Sequence, residues 1–79
     1  MDIEQRVLRS FKDVLELSEP INTKTLIYNE TAGWQSLAHI TLVSALESEF
    51  DIMLDPDDIL AMSSYSKAVE IVRKYLNAH

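Results

Sequence analysis

The stretch Gly33-Trp34-Gln35-Ser36-Leu37-Ala38-His39-Ile40-Thr41-Leu42-Val43-Ser44-Ala45-Leu46-Glu47-Ser48-Glu49-Phe50 decides the fold. Leu42, Leu46 and Phe50 recur at intervals of four, with Val43 beside them and Ile40 at the margin. That spacing stacks side chains on one helical face and predicts a helix from Ser36 to about Phe50. The opposite side carries Ala38, Thr41, Ser44, Glu47 and Ser48, a thin face that either meets solvent or lets a partner approach closely. Ser36 ends an irregular stretch and opens the helix, which admits two readings. Its side-chain oxygen can cap the helix. Its hydroxyl can also be a nucleophile at the positive end of the helix dipole, where an attached phosphate is favoured.

The pattern extends in both directions. Upstream, Ile3, Val7, Leu8, Phe11, Val14 and Leu15 recur at threes and fours and predict a first helix over 2 to about 17, with Asp2 and Glu4 at its start. Pro20 stops it. Residues 18–35 form the longest irregular stretch, with Asn22, Thr23, Asn29, Thr31 and Gly33, the only glycine. Ile21, Leu26, Ile27, Tyr28 and Trp34 within it predict a loop pinned onto the helices. Downstream, Asp55 can cap a short helix with Pro56 in its first position and Asp57 and Asp58 in its first turn. Ser63 or Ser64 then caps a last helix to about Leu76, buried along Ala68, Val69, Val72 and Leu76, with Lys74 and His79 at its end. No segment alternates with period two, so the expectation is all-α: a small bundle of three longer helices and one short one, a single domain over 1–79.

Composition narrows the function. At 79 residues the chain supports one thin core and no deep catalytic cavity. Without cysteine it has neither disulfides nor thiolate metal sites. No segment has the ~18 apolar residues of a membrane span, and no basic-then-apolar start marks a signal peptide, so a cytoplasmic monomer is expected. The net charge is −6 and unevenly spread. From Thr25 to Ser66 there is no Lys or Arg, against seven acids: Glu30, Glu47, Glu49, Asp51, Asp55, Asp57 and Asp58. Such a field repels nucleic acid and anionic lipid and attracts basic protein surfaces, or simply solubilises the chain.

Tests for chemistry are mostly negative. Asp51, Asp55, Asp57 and Asp58 lack the glycine and closing glutamate of an EF-hand loop, and Pro56 interrupts them. His39 and His79 have no second metal ligand at helical spacing, so no metal site is expected. A Ser36–His39 hydrolase lacks the G-x-S-x-G elbow, and His39 reads as a surface or boundary residue. One glycine cannot make a phosphate-cradling loop, and no basic patch interleaves with aromatics. No catalytic residue is assigned.

Gly33-Trp34-Gln35-Ser36-Leu37, then Leu42, Leu46-Glu47, Phe50 and Ile52, the acidic turn from Asp55 to Asp58 and the serine-capped last helix resemble acyl carrier proteins over almost the whole chain. Those are the phosphopantetheine-bearing domains of fatty acid, polyketide and related thioester pathways. The resemblance implies a four-helix bundle of acyl-carrier-protein type that is not itself an enzyme. It implies that Ser36 carries a 4'-phosphopantetheine arm, moved from coenzyme A by a separate phosphopantetheinyl transferase with magnesium. Trp34, Gln35 and Leu37 would flank the arm. Thr41, Ser44, Glu47, Ser48, Asp57 and Asp58 would meet partners, namely the transferase and acyl-transferring or ligating enzymes with basic docking surfaces.

The sequence departs from the family at Gln35, where aspartate is usual; a neutral amide neither pairs with a basic transferase surface nor helps hold magnesium. Ala38 and Thr41 stand where many members present acids, which leaves docking to Glu47, Glu49 and the acids from Asp51 to Asp58. The rival expectation is an unmodified carrier-like module that docks basic partners through its acidic middle.

Overall fold

A computed structural model describes residues 2–77. Helix α1 spans Ile3–Leu15, a 3₁₀ turn spans Thr23–Thr25, α2 spans Ser36–Phe50, α3 spans Pro56–Ala61 and α4 spans Tyr65–Leu76. Three longer helices and one short one, with no strand among the described residues, make the expected small all-α bundle. His79, expected at the end of the last helix, lies outside the described residues.

The first helix begins where Asp2 accepts the Gln5 N–H at 2.8 Å, a side-chain cap. It stops at Leu15, short of Pro20, because Glu16 turns left-handed at φ 53°. Helix α1 packs on both α2 and α4. Its buried residues Val7, Phe11 and Leu15 meet Leu42, Val43, Leu46 and Phe50 of α2 and Ala68, Val69, Ile71 and Val72 of α4 in one core. Arg6 ties α1 to the end of α2: its Nε donates to Glu49 Oε2 at 2.7 Å, one Nη donates to the Glu49 carbonyl at 2.8 Å, and its guanidinium lies 4.4 Å above the Phe50 ring.

The long loop is ordered, as its apolar residues predict. Leu26 is buried and Trp34 is fully buried, edge-on to Phe11 at 5.0 Å. Backbone bonds sew the loop to the α3–α4 junction, a pairing that sequence periodicity does not display. Tyr28 N–H donates to the Ser63 carbonyl at 2.9 Å, and Tyr65 N–H donates to the Leu26 carbonyl at 2.9 Å. The turn into α2 closes where Asn29 N–H donates to the Trp34 carbonyl at 2.8 Å, with Gly33 at φ +85°.

Three local expectations are corrected. Ser36 is not the cap of α2 but its first residue; Gln35 holds the cap position and its side chain makes no capping bond. Asp55 holds the cap position of α3, again without a side-chain bond. Ile40 leaves the buried stripe and is 63% exposed. At the last helix Ser64 is the cap, accepting the Lys67 N–H at 3.0 Å.

Candidate functional site

Because Ser36 does not cap α2, the structural reading of that serine loses its support. Its side chain is exposed, and its Oγ lies 3.3 Å from the Tyr28 hydroxyl, either of which can donate. No side chain caps the start of α2, so the N–H groups of its first turn face outward around Ser36. The site thus combines an exposed hydroxyl, a phenol hydrogen-bonded to it and the positive end of a 15-residue helix.

Aromatic packing holds the phenol in place. The Tyr28 ring lies edge-on to Trp34 at 6.0 Å and to His39 at 5.0 Å. The Trp34 indole N–H donates to His39 Nδ1 at 3.0 Å, and His39 Nε2 lies 2.9 Å from the Ile59 carbonyl. His39 is the boundary residue expected, half-buried, and it also bridges the loop, α2 and α3. A cleft of about 110 Å³ opens beside it, lined by Tyr28, His39, Ile59, Leu60, Met62 and Ser63. That is below the ~300 Å³ at which small-molecule pockets usually start.

Gln35, Ser36 and Leu37 share one exposed patch, Leu37 being 80% exposed. Trp34, expected to flank the arm, is fully buried, and its ring meets Tyr28 and His39. Thr41, Ser44, Ser48 and Asp57 are exposed, in keeping with an outward face. Glu47 and Asp58 are not free in the same way. Glu47 Oε2 accepts the Leu54 N–H at 2.9 Å, which fixes the turn after α2. Asp58 accepts from Lys74 Nζ at 2.7 Å and from the Tyr75 hydroxyl at 2.6 Å. The Lys74 bond, with that of Tyr75, holds the Asp58 carboxyl below the usual carboxylate range. Glu49 is likewise held low by its bond to Arg6.

Spacing could not reveal Tyr28 as the neighbour of Ser36, nor Ile59 as the partner of His39, since both contacts cross from one element to another. Among the described residues no group of three or more His, Asp or Glu could hold a metal ion, and no helix is long and apolar enough to cross a membrane.

A compact α-helical bundle that presents one exposed serine at the start of its second long helix is the class these features define. The acyl carrier protein of Desulforapulum autotrophicum is 30% identical to it over 77 residues, which covers 94% of this chain and 97% of that protein. The chain belongs to the acyl carrier protein family. No family model and no solved structure matches it.

Proposed function

We propose that the chain carries acyl groups as thioesters on a 4'-phosphopantetheine arm attached to Ser36, for fatty acid, polyketide or related biosynthesis. The observation that carries this reading is the exposed Ser36 hydroxyl, free of any capping role, at the uncapped start of α2.

The residues present fit the group. The first-turn N–H groups and the dipole of α2 favour a phosphodiester on Ser36. Tyr28 holds the Ser36 oxygen from the loop side. Gln35 is exposed beside it and supplies an amide for hydrogen bonding in place of the family's usual carboxylate. When bound, the group supplies a terminal thiol that this cysteine-free chain lacks. The chain's own part is to present the attachment point and to hold it on a rigid helix end. A separate phosphopantetheinyl transferase does the attachment, and acyl-transferring or ligating enzymes use the cargo. In this reading the protein is a carrier and not an enzyme, and it works as a cytoplasmic monomer.

Intact mass after incubation with coenzyme A, magnesium and a broad-specificity phosphopantetheinyl transferase tests it. The expected result is a gain of one phosphopantetheine in the parent chain and none in Ser36→Ala. No gain in the parent, and none in Gln35→Asp, would overturn the carrier reading in favour of an unmodified docking module.

A further inference from the structure

We infer that His39 is a positioning residue for Ser36 that works only as the neutral imidazole, so that acid releases the loop that holds the serine; this rests on the carrier reading above. The Trp34 indole N–H donates to His39 Nδ1 at 3.0 Å, and an indole nitrogen can only donate. The ring proton therefore sits on Nε2, which donates to the Ile59 carbonyl at 2.9 Å. A second proton has one place to go, Nδ1, where it faces the indole N–H with no acceptor between them. Protonation thus breaks the bond to the loop and leaves the bond to α3 in place. Trp34 is 0% exposed, so its stranded N–H meets water only if the ring shifts.

That shift reaches Ser36 through Tyr28. The Tyr28 ring lies edge-on to Trp34 at 6.0 Å and to His39 at 5.0 Å, and its hydroxyl lies 3.3 Å from Ser36 Oγ. The Asn29 N–H also donates to the Trp34 carbonyl at 2.8 Å, so the turn that carries Tyr28 is tied to the tryptophan backbone. No fixed charge lies at the cleft to hold the second proton on or off. The cleft beside His39 is lined by Tyr28 from the loop, by Ile59 and Leu60 from α3, and by Met62 and Ser63 from the junction that follows. On the loop, Glu30 is exposed and does not line it; on α3, neither does the exposed Asp57. Asp58 is bonded to Lys74 and Tyr75, and Glu47, on the same helix as His39, accepts the Leu54 N–H. Histidine is the side chain whose charge ordinarily changes between about pH 5 and about pH 8, and His39 is the only one at this cleft.

The test follows the indole N–H resonance of Trp34, the single tryptophan, by nitrogen-correlated NMR from about pH 8 to about pH 5, where carboxylates stay ionised. The resonance should move in one protonation step in the parent chain and in His79→Gln, which removes the only other histidine. It should stay in place in His39→Gln, whose amide can donate and accept but does not titrate. Timed intact mass with one phosphopantetheinyl transferase reads the effect on Ser36. The loading rate of the parent is divided by that of His39→Gln at each pH, so the transferase's own pH dependence cancels. That ratio should fall about two- to tenfold as pH drops through the step, the effect of losing one hydrogen bond. If His39→Gln does not fold, Tyr28→Phe takes its place in the ratio, since it has no hydroxyl to pass the shift to Ser36. A resonance that stays in place in the parent, moves equally in His39→Gln or loses its step in His79→Gln would overturn the proposal alone. So would a clear step with a flat loading ratio. If the parent gains no mass with the transferase at neutral pH, nor does Gln35→Asp, the carrier reading fails and takes this proposal with it, whatever the resonance does.

Discussion

The indole N–H of Trp34 donates to Nδ1 of His39 at 3.0 Å, and this bond fixes the protonation pattern of the histidine. An indole nitrogen can only donate, so Nδ1 is the acceptor. The proton then sits on Nε2, which donates to the Ile59 carbonyl at 2.9 Å. One imidazole thus joins a core tryptophan to α2 and to the short helix α3. Replacing His39 by Ala strands the indole N–H in a residue that is 0% exposed. The expected cost is about 1–3 kcal/mol, the penalty for an unsatisfied buried donor. Denaturant unfolding followed by the fluorescence of Trp34, the single tryptophan, measures it. An unchanged midpoint would mean that water takes the place of the imidazole.

Tyr28→Phe separates the two roles of that side chain. The ring stays against Trp34 and His39, and only the hydroxyl that meets Ser36 at 3.3 Å is lost. Stability should change by no more than about 0.5 kcal/mol, as for a surface substitution. The rate of loading at Ser36 should fall about two- to tenfold, since a single hydrogen bond contributes a net ~0.5–1.5 kcal/mol. Timed intact-mass measurements with one transferase give the rate. An unchanged rate would show that the phenol does not position the serine.

These two side chains also show where the sequence is legible. Helices α1 and α4 follow from stripes such as Val7-Phe11 and Ala68-Val72, because a spacing of four residues has only one regular geometry that buries it. Helix α2 is legible in its orientation as well, since the Leu42-Leu46-Phe50 stripe turns inward while Thr41, Ser44 and Ser48 stay exposed. Only Ile40, at the margin of that stripe, is not placed by spacing, and it stays out. The candidate site is legible at Ser36, through the residues that precede and follow it. It is not legible at its supports. The Trp34–His39 bond spans a loop–helix junction, and the Glu47–Leu54 bond crosses a turn whose shape no periodicity describes. Glu47 and Asp58 therefore look like free surface acids in the sequence, and only the fold shows which groups they hold.

Gly33 makes a backbone prediction. It sits at φ +85°, and a Cβ there would come no nearer than 4.0 Å to the Leu15 carbonyl oxygen. Space is available, so the cost of Gly33→Ala is conformational and not steric crowding. A loss of roughly 1–2 kcal/mol is expected, the penalty for a left-handed non-glycine residue. Thermal unfolding reads it. A larger loss, with altered Trp34 fluorescence in the folded state, would instead mean that the turn from Asn29 to Trp34 had rearranged.

Asp58 makes a pH prediction with a definite sign. Its carboxylate takes bonds from Lys74 and Tyr75, and the Tyr75 oxygen in turn accepts the Asp55 N–H at 2.8 Å, so this cluster ties α3 to α4. The bond to Lys74, and then that to Tyr75, lowers the Asp58 pKa from the ordinary 3.8. A lowered carboxyl pKa contributes stability that is complete above the ordinary value and is lost as pH falls through the lowered one. The Asp58 bond raises Lys74 from 10.5 and Tyr75 from 10.0. Their contributions are complete below those ordinary values and are lost as pH rises through the raised ones. The cluster is thus fully formed across neutral pH and weakens at both extremes. Asp58→Asn should lower Tm at neutral pH, and its difference from the parent should shrink as acid protonates the parent carboxyl. Thermal unfolding by circular dichroism, carried from about pH 2 to about pH 7, checks both parts. Parallel curves for the two chains would mean that the carboxylate contributes nothing that its amide cannot. Converging curves would identify Asp58 as an acid that serves the fold, through the bonds it takes from Lys74 and Tyr75.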